Sequence, residues 1–307
     1  MALMTDPIAL AQRLPRPTAF VLGGGGSWGA LQLGMLQALA ATDLTPDLVV
    51  GTSVGSLNGA VLAADPGLAV ERLSALWPTV TRADVFPGGW VRGLRTLTES
   101  RAWIYDNQPL TALLTGSLPG TTFEELQVPF VAVATDFSSG AVAALDSGDL
   151  HSALLASSAI PGIFPWVERD GRRLVDGMLV ANVPASIALA RGARSLVVLD
   201  CGLKGVAARA EGTLLEVMNQ SAAIFARRQM ATELLACAEV PVVWLGPKEP
   251  NETTQLDFSA TPALIEHGRR DASAVLAEVA SVNALPAGVY GAPASLRADE
   301  RLRSLLR

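Results

Sequence analysis

Apolar positions along the chain recur in two spacings. Unbroken short runs, "TAFVL" (18–22), "DLVV" (47–50), "VPFVAVAT" (128–135), "SLVVLDCG" (195–202) and "VPVVWLG" (240–246), have the length and β-branched content of buried strands. Between them stand helix-length segments with a wider apolar period, "GALQLGMLQALAA" (29–41), "VGSLNGAVLAA" (54–64), "ANVPASIALARG" (181–192) and an amphipathic stretch from Leu214 to Cys237. Strand alternating with helix predicts a parallel sheet with crossover helices. The pattern predicts one α/β domain over residues 18–280, an N-terminal extension over 1–17 and a peripheral tail over 281–307. In "WVERDGRRLVDGMLVANVP" (166–184), Asp170-Gly171 is a hairpin pair between two short strands, the second ending at Asp176.

Residues 78–108 break this rhythm. Arg82, Arg92, Arg95 and Arg101 interleave with Phe86, Trp90, Trp103 and Tyr105, a mixture suited to a cap or to peripheral membrane contact. An ordinary helical insertion packed on the sheet edge accounts for the same composition.

Composition narrows the function. Half of the 307 residues are hydrophobic, enough for a sizeable core, and a net charge of −6 disfavours a nucleic-acid binder. The two cysteines, Cys201 and Cys237, are far apart with no C-x-x-C, so no disulfide framework or metal site is expected. The first twenty residues interrupt their apolar positions with Asp6, Arg13 and Arg16, which argues against a secretory signal and for a cytoplasmic location. Residues 17–42 carry no charge, but four consecutive glycines break the helix that a membrane span requires.

Those glycines carry two superimposed motifs. Gly24, Gly26 and Gly29 spell G-x-G-x-x-G, and Gly25, Ser27 and Gly29 spell G-x-S-x-G; a second G-x-S-x-G occupies Gly51, Ser53 and Gly55. A dinucleotide loop needs an acidic residue closing the second strand, whereas Asp47 opens that strand and Gly51 closes it. Ser53 has the context of a nucleophile elbow, a strand before it and a helix directly after, while Ser27 follows a multi-residue glycine loop. A glycine loop at a helix N-terminus is suited to developing negative charge, so Gly24–Gly26 are candidate backbone donors to the oxyanion formed when Ser53 attacks a carbonyl. The base is left open by the residues alone. His267 stands in the order of a Ser-Asp-His esterase but in a stretch that reads as an exposed helical face, His151 opens another helix, and Asp176-Gly177 reads equally as a surface turn.

Four stretches in order, "GGGGSWG", "GTSVG", "ASSAIPGIFP" (156–165) and "DGMLVANVP", resemble the patatin-like phospholipase family. The resemblance implies a three-layer α/β/α fold with a central, mostly parallel sheet, fatty-acyl ester substrates and no metal or cofactor. It further implies Ser53 as nucleophile, Asp176 as its sole partner, the amides of Gly24, Gly25 and Gly26 as the oxyanion hole, and Gly29, Gly51, Gly55 and Gly177 as motif glycines. Two positions depart from the family pattern: Trp28, expected to make the pocket mouth more apolar, and Met178, expected to crowd it. Beside the lipid acyl hydrolase stand two alternatives, a Ser-His-Asp esterase using His267 and a non-catalytic nucleotide or lipid binder on the same scaffold.

Overall fold

A computed structural model of the chain describes residues 9–42, 44–87, 103–118, 120–202, 214–249, 251, 253–282, 284–292 and 305–306. Nine strands are present among them: β1 (Thr18–Leu22), β2 (Leu48–Thr52), β3 (Phe130–Asp136), β4 (Val142–Leu145), β5 (Val167–Arg169), β6 (Arg172–Asp176), β7 (Ser195–Leu199), β8 (Pro241–Leu245) and β9 (Gly288–Tyr290). The principal helices are α1 (Ala9–Arg13), α2 (Gly29–Leu39), α3 (Val54–Ala64), α4 (Ala69–Leu76), α5 (Arg82–Val85), α6 (Gln108–Ser117), α7 (Leu150–Ser157), α8 (Ala185–Ala190), α9 (Leu214–Ala236) and α10 (Thr261–Ala280). The strands β3, β2, β1, β7, β8 and β9 pair in parallel in that order, while β4 and β6 run antiparallel to β3.

Alternate residues of each central strand face opposite layers. Phe20 and Leu22 of β1 join a core with residues of α2, α3, α4, α6, α7 and α10, and Ala19 and Val21 join a second core with residues of α8 and α9. The fold is therefore a three-layer α/β/α arrangement. Both faces are covered, so the central strands are buried along their whole length and read as continuous apolar runs.

The register of β3 explains how distant segments meet. Ala134 and Thr135 pair with Ala143 and Val142 of β4 and also with Asp176 and Val175 of β6, so β4 and β6 lie on opposite edges of β3. The edge without β4 is the one that β2 occupies from Phe130 to Val133. Strand β6 thus continues the edge that β2 leaves, and the two strands meet head to head. Thr52 pairs with Val133, and Asp176 pairs with the next residue, Ala134. Asp170 (φ 51°) and Gly171 (φ 72°) turn β5 into β6, the hairpin expected from the sequence.

Both terminal segments pack against the domain. The tail is not wholly peripheral: Gly288–Tyr290 add a parallel strand beyond β8, and Val289 and Leu285 are buried. A three-residue strand is too short to show a period. At the other end α1 buries Leu10 and Leu14, and the Arg13 guanidinium donates to the carbonyls of Ala280 (2.8 Å) and Val282 (2.5 Å), capping the end of α10.

Candidate active site

Strand β2 ends at Thr52 and α3 begins at Val54, leaving Ser53 alone to reverse the chain. It does so at φ 53°, ψ −128°, a strained conformation for a residue with a Cβ, and one that lifts the side chain above the sheet edge. The turn closes only because its flanks are glycine. A Cβ on Gly51 would lie 2.4 Å from the Gly55 carbonyl oxygen, and one on Gly55 would lie 2.3 Å from that of Leu22. The backbone N–H of Ser53 donates to Ser157 Oγ (3.0 Å), whose hydroxyl donates to Val133 O (2.6 Å), tying the elbow to α7 and β3.

The Ser53 hydroxyl donates to Asp176 Oδ2 at 2.6 Å. Asp176 is fully buried at the end of β6, and its other oxygen accepts the Met178 N–H at 2.8 Å. Burial pushes this carboxyl up to about 7, even though both hydrogen bonds favour the ionised form. Gly177, beside it, packs against the Val133 carbonyl.

The glycine loop faces this pair, with only two of its three expected amides free. The Gly23–Gly24 peptide is locked at both ends: its carbonyl accepts Gln32 Nε2 (2.8 Å), and its N–H, that of Gly24, donates to Asn182 O (3.0 Å). The N–H groups of Gly25 and Gly26 make no such bond among the described residues. Gly29 starts α2, packed against Val54 and Trp77. Gln32 is held in turn by Asn58 Nδ2 (2.8 Å), and Asn58 Oδ1 accepts Trp77 Nε1 (3.1 Å), a buried chain reaching from the loop to α3 and the turn that follows α4.

A cavity opens from Ser53 and Gly26. Its walls are apolar side chains of α3, α4 and α6, together with Phe86, Ile160, Phe164 and Phe258. Phe86 stacks on Phe164 (5.6 Å between centroids) and tilts against Tyr105 (5.5 Å). Trp90, Arg92, Arg95 and Arg101 lie outside the described residues. Ser158 also lines the cavity, and its Oγ, fully buried, has no hydrogen-bond partner among the described residues.

The remaining candidates fall elsewhere. Ser27 is fully buried, with its N–H on Gln255 O and its hydroxyl on Thr254 O. His267 stands on α10 with Nε2 3.0 Å from Asp271 Oδ2, and neither it nor His151 lines the cavity. Trp28 does not form the mouth: it is buried in the core with its indole N–H on Thr253 Oγ1. Met178 does not crowd it either, being exposed and absent from the cavity wall. Among the described residues no group of three or more His, Cys, Asp or Glu side chains is placed to hold a metal ion, and no helix is long and apolar enough to cross a membrane.

Several site residues carried no sequence motif of their own. Gln32 and Asn58 were visible only as amides inside otherwise apolar helices, and Ser157 only as part of the "ASSAIPGIFP" block.

Comparison with known proteins agrees with this architecture. The chain is similar to mouse patatin-like phospholipase domain-containing protein 7, 29% identical over 196 residues, and to human patatin-like phospholipase domain-containing protein 6, 32% identical over 196 residues; each alignment covers 60% of this chain. It is also similar to lysophospholipase NTE1 of Mycosarcoma maydis, 30% identical over 208 residues and 64% of this chain. It spans only 13% of the length of the first two and 10% of the third. The family model for patatin-like phospholipase matches residues 20–189, more than half of the chain. The chain belongs to the patatin-like phospholipase family.

Proposed function

We propose that the chain is a serine lipid acyl hydrolase in which Ser53 and Asp176 act as a two-residue catalytic unit. The observation that carries this is the 2.6 Å bond from the Ser53 hydroxyl to a buried carboxylate, at the opening of an apolar cavity. Asp176 accepts the Ser53 proton as the oxygen attacks an acyl carbonyl. The tetrahedral oxyanion is received by the N–H groups of Gly25 and Gly26, each lowering the barrier by roughly 3 kcal/mol. We assign no such role to Gly24, whose N–H is occupied. Asp176 then returns its proton to the departing alcohol, and water, deprotonated by the same carboxylate, releases the fatty acid and restores Ser53.

An ordinary aspartate is a poor base for an alcohol. A carboxyl held near 7 by burial is better matched, because it is substantially ionised at neutral pH yet retains appreciable basicity. The family, and the name of the relative called a lysophospholipase, support a phospholipid or lysophospholipid ester as substrate. The test is labelling by a long-chain alkyl fluorophosphonate together with hydrolysis of acyl esters. Wild type is expected to label and turn over, Ser53→Ala to do neither, and His267→Ala to do both. Labelling that survives in Ser53→Ala, or is lost in His267→Ala, overturns the assignment.

A further inference from the structure

The cavity has a direction and a length. From α3 it takes Ser53, Val54, Leu57, Asn58 and Val61, one face of a single helix, with Ser53 at one end and Val61 at the other. Trp77, the residue that follows α4, bonds Asn58, and Leu73, one turn earlier in α4, also lines the cavity. Leu114 of α6 closes a third side. Val61, Leu73 and Leu114 are at most 5% exposed, whereas Val80, Val85, Leu113 and Ile160 are half-buried, so the end away from Ser53 is blind and the rim lies elsewhere.

The walls also specify what fits. Among the described residues the one amide in the wall, Asn58, is already engaged by Trp77, Gln32 and the Gly29 carbonyl. Among the described residues no charged side chain lines the cavity, so a phosphate or glycerol headgroup would lose its hydration against these walls without compensation. The polar end is Ser53, where an ester carbonyl must sit. The blind end therefore receives the methyl end of an acyl chain, and the headgroup stays outside.

Length follows from the helix. Eight residues from Ser53 to Val61 at ~1.5 Å each make ~12 Å. An extended hydrocarbon with ordinary carbon–carbon bonds advances about 1.25 Å per carbon, so ~10 carbons span that distance. Resting on the function proposed above, we infer that this cavity measures a single medium-length acyl chain, of about 8–12 carbons, with Val61 and Leu73 as its floor. Each methylene that enters adds about fourfold to kcat/KM, and the gain stops where the floor is reached.

The experiment is a ladder of p-nitrophenyl esters, C4 to C16, presented at a fixed ratio in one detergent micelle, with Ser53→Ala as the blank. For wild type, kcat/KM is expected to peak between C8 and C12 and to fall at least tenfold by C16. Val61→Phe raises the floor and is expected to lower the ratio of C12 to C4 at least tenfold. Val61→Ala lowers the floor without adding bulk, and should move the peak longer by about two carbons, as expected from the removed branch. A wild-type profile that is flat or climbs through C16, or a peak that stays in place in Val61→Ala, overturns the ruler while leaving the hydrolase intact. Hydrolysis by Ser53→Ala equal to wild type, or none by wild type at any length, overturns the hydrolase and the ruler with it.

Discussion

Ser27 and Ser53 each sit at the centre of a G-x-S-x-G, yet they occupy opposite physical situations. Ser53 follows a strand directly, so one residue must absorb the whole reversal, and its side chain is driven into a positive-φ pose above the sheet edge. Ser27 follows a strand by four glycines that share the reversal; it relaxes into a 3₁₀ turn, and its hydroxyl is consumed by Thr254 O. The same five-letter pattern yields an available oxygen in one place and a structural tether in the other. What separates them is the number of residues between strand and helix, since a short connection concentrates strain that a long one disperses.

The largest expected consequence is kinetic. Ser53→Ala should lower kcat by about 10³-fold or more, as removal of a nucleophile does elsewhere, and Ser27→Ala should stay within about threefold of wild type. Steady-state hydrolysis of one ester checks both; comparable losses would erase the distinction between the two turns. Asp176→Asn, which preserves shape but not basicity, should lose turnover by a similarly large factor. It should also melt higher than wild type at pH 8, measured by calorimetry. The sign follows from linkage: the folded carboxyl binds its proton up to about 7, the unfolded one only to 3.8, so this group weakens folding as pH rises between those values.

Next in size is the pH profile. Because Asp176 must be ionised to accept the serine proton, kcat/KM should fall about tenfold per unit as pH drops below about 7, with a plateau above it. A profile rising toward acid, or one whose midpoint stays near 4, would place the base elsewhere. The smallest effects are on stability. Ser27→Ala leaves the Ser27 hydroxyl's tether to Thr254 unmade and should cost about 1 kcal/mol. Ser158→Ala removes a buried hydroxyl that has no partner among the described residues and should raise stability by up to about 1 kcal/mol. Denaturant titration of the two variants should move the midpoint in opposite directions.

Much of this was legible in the sequence because it rests on chain geometry. A strand-like run against a helix start marked Ser53, Asp170-Gly171 marked the hairpin that delivers Asp176, and alternating elements marked the sheet. The use of the Gly24 N–H by Asn182 O left no trace, since both groups are backbone and any residue would supply them. Nor could the cavity be foreseen. Leu73, Leu76 and Trp77, or Leu110, Leu113 and Leu114, have the helical spacing of ordinary core positions, and only the packed structure distinguishes a wall facing a void from a wall facing another helix. Of the segment expected to cap the site, residues 88–102 lie outside the described residues, whereas Val80, Val85 and Phe86 line the cavity.

Strands β2 and β6 abut on consecutive residues of β3, and this has a consequence for the order in which the molecule assembles. Ser53 and Asp176 are 123 positions apart, and neither is placed until β3 has docked against β2 and the β5–β6 hairpin has folded back onto the vacant half of the same edge. Contacts so distant along the chain carry the largest loop-closure entropy and form late. During refolding from denaturant, helical signal should therefore return before reactivity toward a fluorophosphonate, and the nascent protein stays chemically silent until its hairpin has closed.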